Sequence, residues 1–169
     1  MNCTHNIEDI IAKLFSEYLK NRKLRHTAER DAIFARICQT KYLFTLDMIW
    51  RQLEDDNFHV SRASIYNTIE LLLDAKIVVR HQFTSTITQY ELKHIAEQHH
   101  YSICTSCGAI CEIQNEKINN HFSTYKIPRF TAEYYALYFY GICSKCKYKQ
   151  MRQKIEQQEL EQQELTKNK

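Results

Sequence analysis

The stretch Ser61-Arg62-Ala63-Ser64-Ile65-Tyr66-Asn67-Thr68-Ile69-Glu70-Leu71-Leu72-Leu73-Asp74 is followed closely by Ile77-Val78-Val79-Arg80-His81-Gln82-Phe83 and Ile87-Thr88-Gln89-Tyr90-Glu91-Leu92. Ser61 is an N-cap residue, and Ile65, Ile69, Leu72 and Leu73 recur at helical spacing, so Arg62 to Asp74 reads as a helix with one apolar face. The two following runs are rich in β-branched and aromatic residues. Thr84-Ser85-Thr86 separates them, which predicts a β-hairpin.

Working back toward the N-terminus, Thr45 caps a short helix with Leu46, Ile49, Trp50 and Leu53 on one face. Thr27 caps another, with Ala32, Ile33 and Ile37 inward. Ile7, Ile10, Ile11, Leu14, Phe15, Tyr18 and Leu19 give Asn6–Leu19 an amphipathic helical period. Four helices, the last two joined by a short turn, then a hairpin, predict a winged helix-turn-helix domain over residues 1–92.

Toward the C-terminus, residues 93–98 are a polar connector without Pro or Gly. His99 to Gln114 alternates as a strand would. Asn115 to about Tyr125 reads as a helix with Ile118 and Phe122 inward, and the aromatic run from Phe130 to Ile142 suits a long strand. This α/β unit, 99–146, is too small to bury a secure core without metal or oligomerisation. From Cys143 onward the chain reads as helix. Its end, 147–169, is charged and Gln-rich; a solvated tail is the plain reading and a dimer-supporting coiled coil the sharper one. The expected class is α+β.

The net charge is only +3, from 23 Lys+Arg against 20 Asp+Glu, so charge alone does not select a polyanionic partner. Basic clusters at Lys20–Arg25 and Lys145–Lys154 gain weight only beside a DNA-reading element. There is no secretory leader pattern and no run of about 18 apolar residues, so a cytoplasmic chain without a membrane span is expected.

Reduced thiols favour metal over disulfides in that setting. Cys104-Thr105-Ser106-Cys107 and Cys143-Ser144-Lys145-Cys146 are two knuckle pairs. Together they supply the four thiolates of a tetrahedral zinc site with no open position, hence one structural Zn²⁺ per chain. Gly108 permits the tight turn after the first knuckle. A redox CxxC would precede a long helix in a βαβ context, and the first pair here precedes a strand. Cys111 reads as a small buried apolar residue, and Cys3 and Cys38 stand outside the pattern.

Four ordered patterns resemble the ferric uptake regulator (Fur) family of bacterial metal-responsive regulators. They are Leu24-Arg25-His26-Thr27-Ala28-Glu29-Arg30; Val60 to Ile69; Tyr90-Glu91-Leu92 with His99-His100-Tyr101-Ser102-Ile103-Cys104-Thr105-Ser106-Cys107-Gly108; and Tyr138-Phe139-Tyr140-Gly141-Ile142-Cys143-Ser144-Lys145-Cys146. The resemblance implies an N-terminal winged helix, a C-terminal dimerisation domain and a zinc held by Cys104, Cys107, Cys143 and Cys146. It also implies a homodimer bound to A/T-rich palindromic double-stranded DNA. Tyr66 then lies on the recognition helix, with Arg62, Ser64 and Asn67 on its exposed N-terminal turns. Arg25 takes a minor-groove position and Arg30 one near the DNA backbone.

The same resemblance implies a regulatory metal site, and here the sequence departs from it. Glu91 and His99 match two ligands, while Leu43 and Tyr101 stand where two imidazoles are expected. His100 is a further candidate. At the matching positions of a second family site, Gln98, His100, Asn119 and Tyr135, only His100 suits a metal. The effector is therefore open between Fe²⁺, a rearranged site using His81, His94, His99 or His100, haem, and none. The expected function is a transcriptional regulator, a repressor of iron, metal or haem homeostasis genes. It is not expected to be an enzyme, since no phosphate loop, nucleophile elbow or paired-carboxylate motif is present. The rivals are a zinc-bound thiol redox protein or chaperone, and a protein-interaction module without operator binding.

Overall fold

The structure is a computed structural model that describes residues 4–113, 115–132 and 134–167. The chain forms two compact units, Met1–Gln98 and His99–Lys169.

The first unit contains α1 (Thr4–Asn21), α2 (Ala28–Gln39), α3 (Leu46–Asp55), α4 (Arg62–Asp74), β1 (Val78–Gln82), β2 (Thr88–Leu92) and the single turn α5 (Lys93–Ala96). Each of the three expected caps is made: Thr27 accepts the Arg30 N–H, Thr45 that of Met48, and Ser61 that of Ser64. A cap of this type contributes about 1 kcal/mol. The helices close on one core of Phe15, Leu19, Ile33, Ile37, Phe44, Ile49, Ile65, Ile69 and Leu72. On α1 only Ile11, Phe15 and Leu19 of the apolar set are buried, while Ile7, Ile10 and Leu14 are exposed.

Strands β1 and β2 pair antiparallel, with Val78 opposite Leu92 and Gln82 opposite Thr88. Phe44 adds a bridge to Tyr90, donating to its carbonyl at 2.9 Å and accepting from its N–H at 2.8 Å. The hairpin thus forms a wing beside the helices. Residues 93–98, expected as a polar connector, pack with this unit: the Lys93 N–H bonds the Ile77 carbonyl at 2.9 Å and Ala96 is buried.

Helices α1, α3 and α4 end alike. Lys23, Asn57 and Lys76 take φ of 56°, 58° and 58°, and the next N–H reaches back to Leu19, Leu53 or Leu72 at 2.9–3.0 Å. This is the Schellman geometry, in which a left-handed residue satisfies the last carbonyls. The chain has only two glycines, and Lys and Asn fill these positions instead.

The second unit holds β3 (His100–Cys104), β4 (Ile110–Ile113), α6 (Glu116–Thr124), β5 (Tyr138–Gly141) and α7 (Ser144–Lys167). The sheet order is β4-β3-β5, with β4 antiparallel and β5 parallel to β3. The expected strand 99–114 is therefore two strands. The alternation continues, but the strand is interrupted at the knuckle, where Gly108 (φ 72°) donates to the Cys104 carbonyl at 2.8 Å. The expected strand 130–142 shrinks to Tyr138–Gly141. Only there does β3 supply ladder partners, and aromatic content does not make a strand without them. Among the described residues of this unit, those buried are His100, Tyr101, Ile103 and Cys104, all on the central strand.

Candidate zinc centre and nucleic-acid interface

The parallel pairing of β3 with β5 sets Cys104 opposite Gly141, so both knuckles emerge at one end of the sheet. Thr105 fastens them together: its N–H and hydroxyl both donate to the Gly141 carbonyl, at 2.8 and 3.2 Å. Cys143 follows β5 and Cys146 lies on the first turn of α7, where the Lys147 N–H bonds the Cys143 carbonyl at 2.9 Å.

The four sulfurs lie within 4.8 Å of one another, and Cys107 Sγ is 3.9 Å from Cys143 Sγ. A tetrahedral zinc with Zn–S bonds near 2.3 Å requires S···S separations of about 3.8 Å, so the donors fit the ion. The backbone supports them. N–H groups of Cys143, Cys107 and Ser106 point at Cys104 and outweigh burial, holding its thiol down at about 6; the Cys143 N–H is 3.3 Å away. At Cys107 the Ala109 N–H pulls downward. The neighbouring sulfurs of Cys104 and Cys146 outweigh it and push the thiol up to about 11. Sulfurs crowded this closely compete for protons, and a dication relieves that competition. Four protein thiolates would leave no coordination position open, so a metal held there would supply folding free energy.

Cys111 corrects its sequence reading. It lies exposed on β4 and not in a core. Burial, with a smaller contribution from Glu8, pushes the Cys38 thiol up to about 12, which makes it unreactive. Cys3 lies outside the described residues.

The candidate regulatory residues are engaged within their own units. Glu91, in the first unit, is fully buried, with its carboxylate 3.3 Å from His81 Nε2. In the second unit, His99 Nε2 is 3.5 Å from Glu112, and its Nδ1 is 3.3 Å from the Tyr101 hydroxyl. The buried His100 ring lies 6.0 Å from that of Tyr135. Within each unit, among the described residues, only the four cysteines form a cluster of three or more metal-ligating groups.

On α4, Ile65, Thr68, Ile69 and Leu72 are buried and Arg62, Tyr66 and Asn67 are exposed, Tyr66 by 57%. Arg62 is held in place: its guanidinium lies 4.7 Å from the Trp50 ring centroid and 2.7 Å from Asp47. Ser64 is half-buried and faces inward, its hydroxyl bonded to the Glu29 carboxylate and 2.9 Å from Ser61 Oγ. Arg30 donates to the Arg25 carbonyl and Arg25 is exposed. Through Glu29 and Arg30, the first turn of α2 thus ties the basic loop to the start of α4. Asp47, Trp50 and Glu29 carry no motif in the sequence; they are found only from the fold.

The sequence pattern of the ferric uptake regulator family matches residues 21–140. The chain belongs to this family, whose members are dimeric, DNA-binding, metal-responsive transcription regulators and not enzymes. A ferric uptake regulation protein of Campylobacter jejuni is 25% identical over 154 residues, 89% of this chain and 98% of its own. The peroxide-responsive repressor PerR of Staphylococcus aureus is 25% identical over 144 residues, 85% and 93% of the two chains. The solved ferric uptake regulator of Helicobacter pylori, described with three functional metal binding sites, superposes with a TM-score of 0.63 at 17% identity, covering 83% of this chain and 93% of that one. That of Pseudomonas aeruginosa with manganese gives 0.62 at 19%, covering 76% and 97%. The fold is therefore that of ferric uptake regulators. Among the described residues no helix is long and apolar enough to cross a membrane.

Proposed function

We propose that the chain is a homodimeric, zinc-stabilised DNA-binding repressor of metal or haem homeostasis genes. In this reading its two α4 helices enter successive major grooves of an A/T-rich palindrome. The supporting observation is the solvent face of α4. A capped, well-packed helix presents Tyr66, Asn67 and a positioned Arg62 outward, with the basic loop tied beside it. A major groove admits such a helix, and Tyr and Arg reach thymine methyls, guanine edges or phosphates. Arg25 then follows the backbone into the minor groove. Arg30 acts through Arg25, and Ser64 sets the start of the helix through Glu29.

Zinc has a structural role in this reading, and the effector acts weakly. Glu91 and His99 already have protein partners, and Leu43 and Tyr101 bring no imidazole. A ligand shifts a conformational equilibrium only by its differential affinity for the two states. The test is fluorescence anisotropy of zinc-loaded protein on A/T-rich palindromic and scrambled duplexes, with Fe²⁺, Zn²⁺ or haem added in turn. Preference for the palindrome supports the reading. Equal affinity for both duplexes favours a protein-interaction module, and disulfide turnover with loss of zinc favours a thiol redox protein.

A further inference from the structure

Thr27 caps α2, so His26 stands just before the cap and Asp31 one turn inside the helix. Between these two places an apolar pair often fixes the angle at which a chain enters a helix. Here the pair is polar. His26 Nδ1 is 2.9 Å from the Asp31 carboxylate, and His26 Nε2 is 3.4 Å from the Ser16 hydroxyl on α1. An ionised carboxylate only accepts, so Nδ1 carries a proton and Nε2 of the neutral ring accepts from Ser16. When a second proton arrives on Nε2, the hydroxyl turns from donor to acceptor. The contacts stay and the charge changes.

This pair borders the loop that carries Arg25. The near end of the loop is fixed by Lys23 at φ 56°, by the Leu24 N–H on the Leu19 carbonyl at 2.9 Å, and by Arg22 at 2.5 Å from Asp74. The far end is fixed by Arg30, which donates to the Arg25 carbonyl, and by His26. Of these anchors only the imidazole is of a type that changes charge between pH 5 and 8. Asp31 faces the ring from α2. Ser16 faces it from α1, with Lys13 and Lys20 one turn to either side. Arg25 adjoins the ring in the loop, and Glu29, the other acid in the first turn of α2, is bonded to Ser64.

We infer that His26 is a positioning residue for DNA: held on Asp31, its ring sets the loop from which Arg25 meets the duplex, and sets it more firmly when protonated. This rests on the reading that Arg25 contacts DNA. A loop fixed before binding loses less freedom on binding and so binds more tightly. A charged imidazole also holds a carboxylate more strongly than a neutral one. The two side chains are 49% and 52% exposed, which limits the gain to about threefold per chain, or about tenfold for a dimer on two half-sites. Affinity therefore rises as pH falls from 8 to 6.

The test is fluorescence anisotropy of the full, zinc-loaded chain on an A/T-rich palindromic duplex at pH 6, 7 and 8. Ionic strength is held constant, and zinc and helix content are checked at each pH. The wild type is expected to bind about tenfold more tightly at pH 6 than at pH 8. His26→Gln is expected to lose most of that rise. Asp31→Asn removes a negative charge beside the basic loop, which bulk electrostatics alone turns into tighter binding; it is expected instead to bind several-fold more weakly than the wild type at pH 6. Arg25→Ala is expected to flatten the profile too, because the ring acts through that loop. A full pH response in His26→Gln or Arg25→Ala, or tighter binding by Asp31→Asn, would overturn the inference and leave the DNA reading standing. Failure of the wild type to bind this or a scrambled duplex at any pH would overturn the DNA reading itself, and the inference with it.

Discussion

The ring of His81 and the carboxylate of Glu91 face each other at 3.3 Å on neighbouring strands of the wing, 1% and 0% exposed. Both groups are out of water, where a carboxylate and an imidazole facing each other are expected to compensate one another in part. Removing one side of a buried polar contact typically costs about 1–3 kcal/mol. His81→Ala and Glu91→Ala are each expected to lose that order of stability. The double substitution is expected to lose clearly less than their sum. Urea unfolding of the four proteins gives the coupling, and strict additivity would show that the two groups do not interact.

The zinc centre yields a sharper contrast. Cys104→Ser or Cys143→Ser is expected to release the metal and to unfold or monomerise the second unit, whose described buried residues all lie on one strand. Structural zinc contributes roughly 10 kcal/mol or more in small zinc-dependent peptides. Cys111→Ser, at an exposed position, and Cys38→Ser are expected to retain it. Metal analysis beside a melting profile checks this, and a dimeric Cys104→Ser protein with an unchanged profile would refute it.

Reading of DNA should separate from attachment to it. Tyr66→Ala is expected to lose about 1–3 kcal/mol of preference for the palindrome over random duplex. Arg25→Ala is expected to weaken both and to reduce the slope of log K against log salt by about 0.9 for each phosphate that is no longer neutralised. Anisotropy titrations across a salt series distinguish the two. Equal loss on both duplexes for Tyr66→Ala would remove its reading role.

Coupling to Fe²⁺ or Mn²⁺ is expected to stay below tenfold in operator affinity, a free energy under about 1.4 kcal/mol. Within the second unit Tyr101 bonds His99, and Glu112 lies beside the ring's other nitrogen, so a metal must displace protein partners to bind there. Titration of chelated protein that keeps its structural zinc, along a graded metal series, is the measurement. A hundredfold gain abolished by His99→Ala would contradict it.

Helix ends offer a test of backbone strain. Lys76 sits at φ 58°, a region that costs an L-residue roughly 1–2 kcal/mol and a glycine almost nothing. Glycine's larger unfolded-state entropy offsets part of this. Lys76→Gly is expected to raise stability by up to about 1 kcal/mol, seen as a higher melting temperature with the fold unchanged.

Much of the first unit was legible because its signals are local. Thr27, Thr45 and Ser61 act within three residues of themselves, and the apolar period of α4 needs no partner to be recognised. The clustering of the four cysteines was legible because knuckle spacing is covalent information. Hydrophobic alternation, by contrast, does not register a turn. Residues 99–114 alternate through the knuckle, yet the chain reverses there on Gly108. The left-handed positions at Lys23 and Lys76 were hidden because neither residue type signals them. Side-chain pairs such as Arg62 on Trp50 and Ser64 with Glu29 are 12 and 35 positions apart, and only the folded chain brings them together.

Cys104 and Cys143 are 39 positions apart, and their sulfurs meet at the end where β3 and β5 run side by side, where a single metal would join them. Tethering a chain over that distance removes roughly 4 kcal/mol of unfolded-state entropy on the loop-closure estimate. Inside the loop, Tyr125, Ile127 and Phe130 stand open to solvent, with Lys126 and Arg129 exposed between them. With zinc held at the four cysteines, a tryptic cut there is expected to sever the peptide backbone and not the domain: the two pieces would stay clasped by the metal and the strand pair until a chelator opens the clasp. Through this stretch, the wholeness of the domain is a property of the ion as much as of the polypeptide.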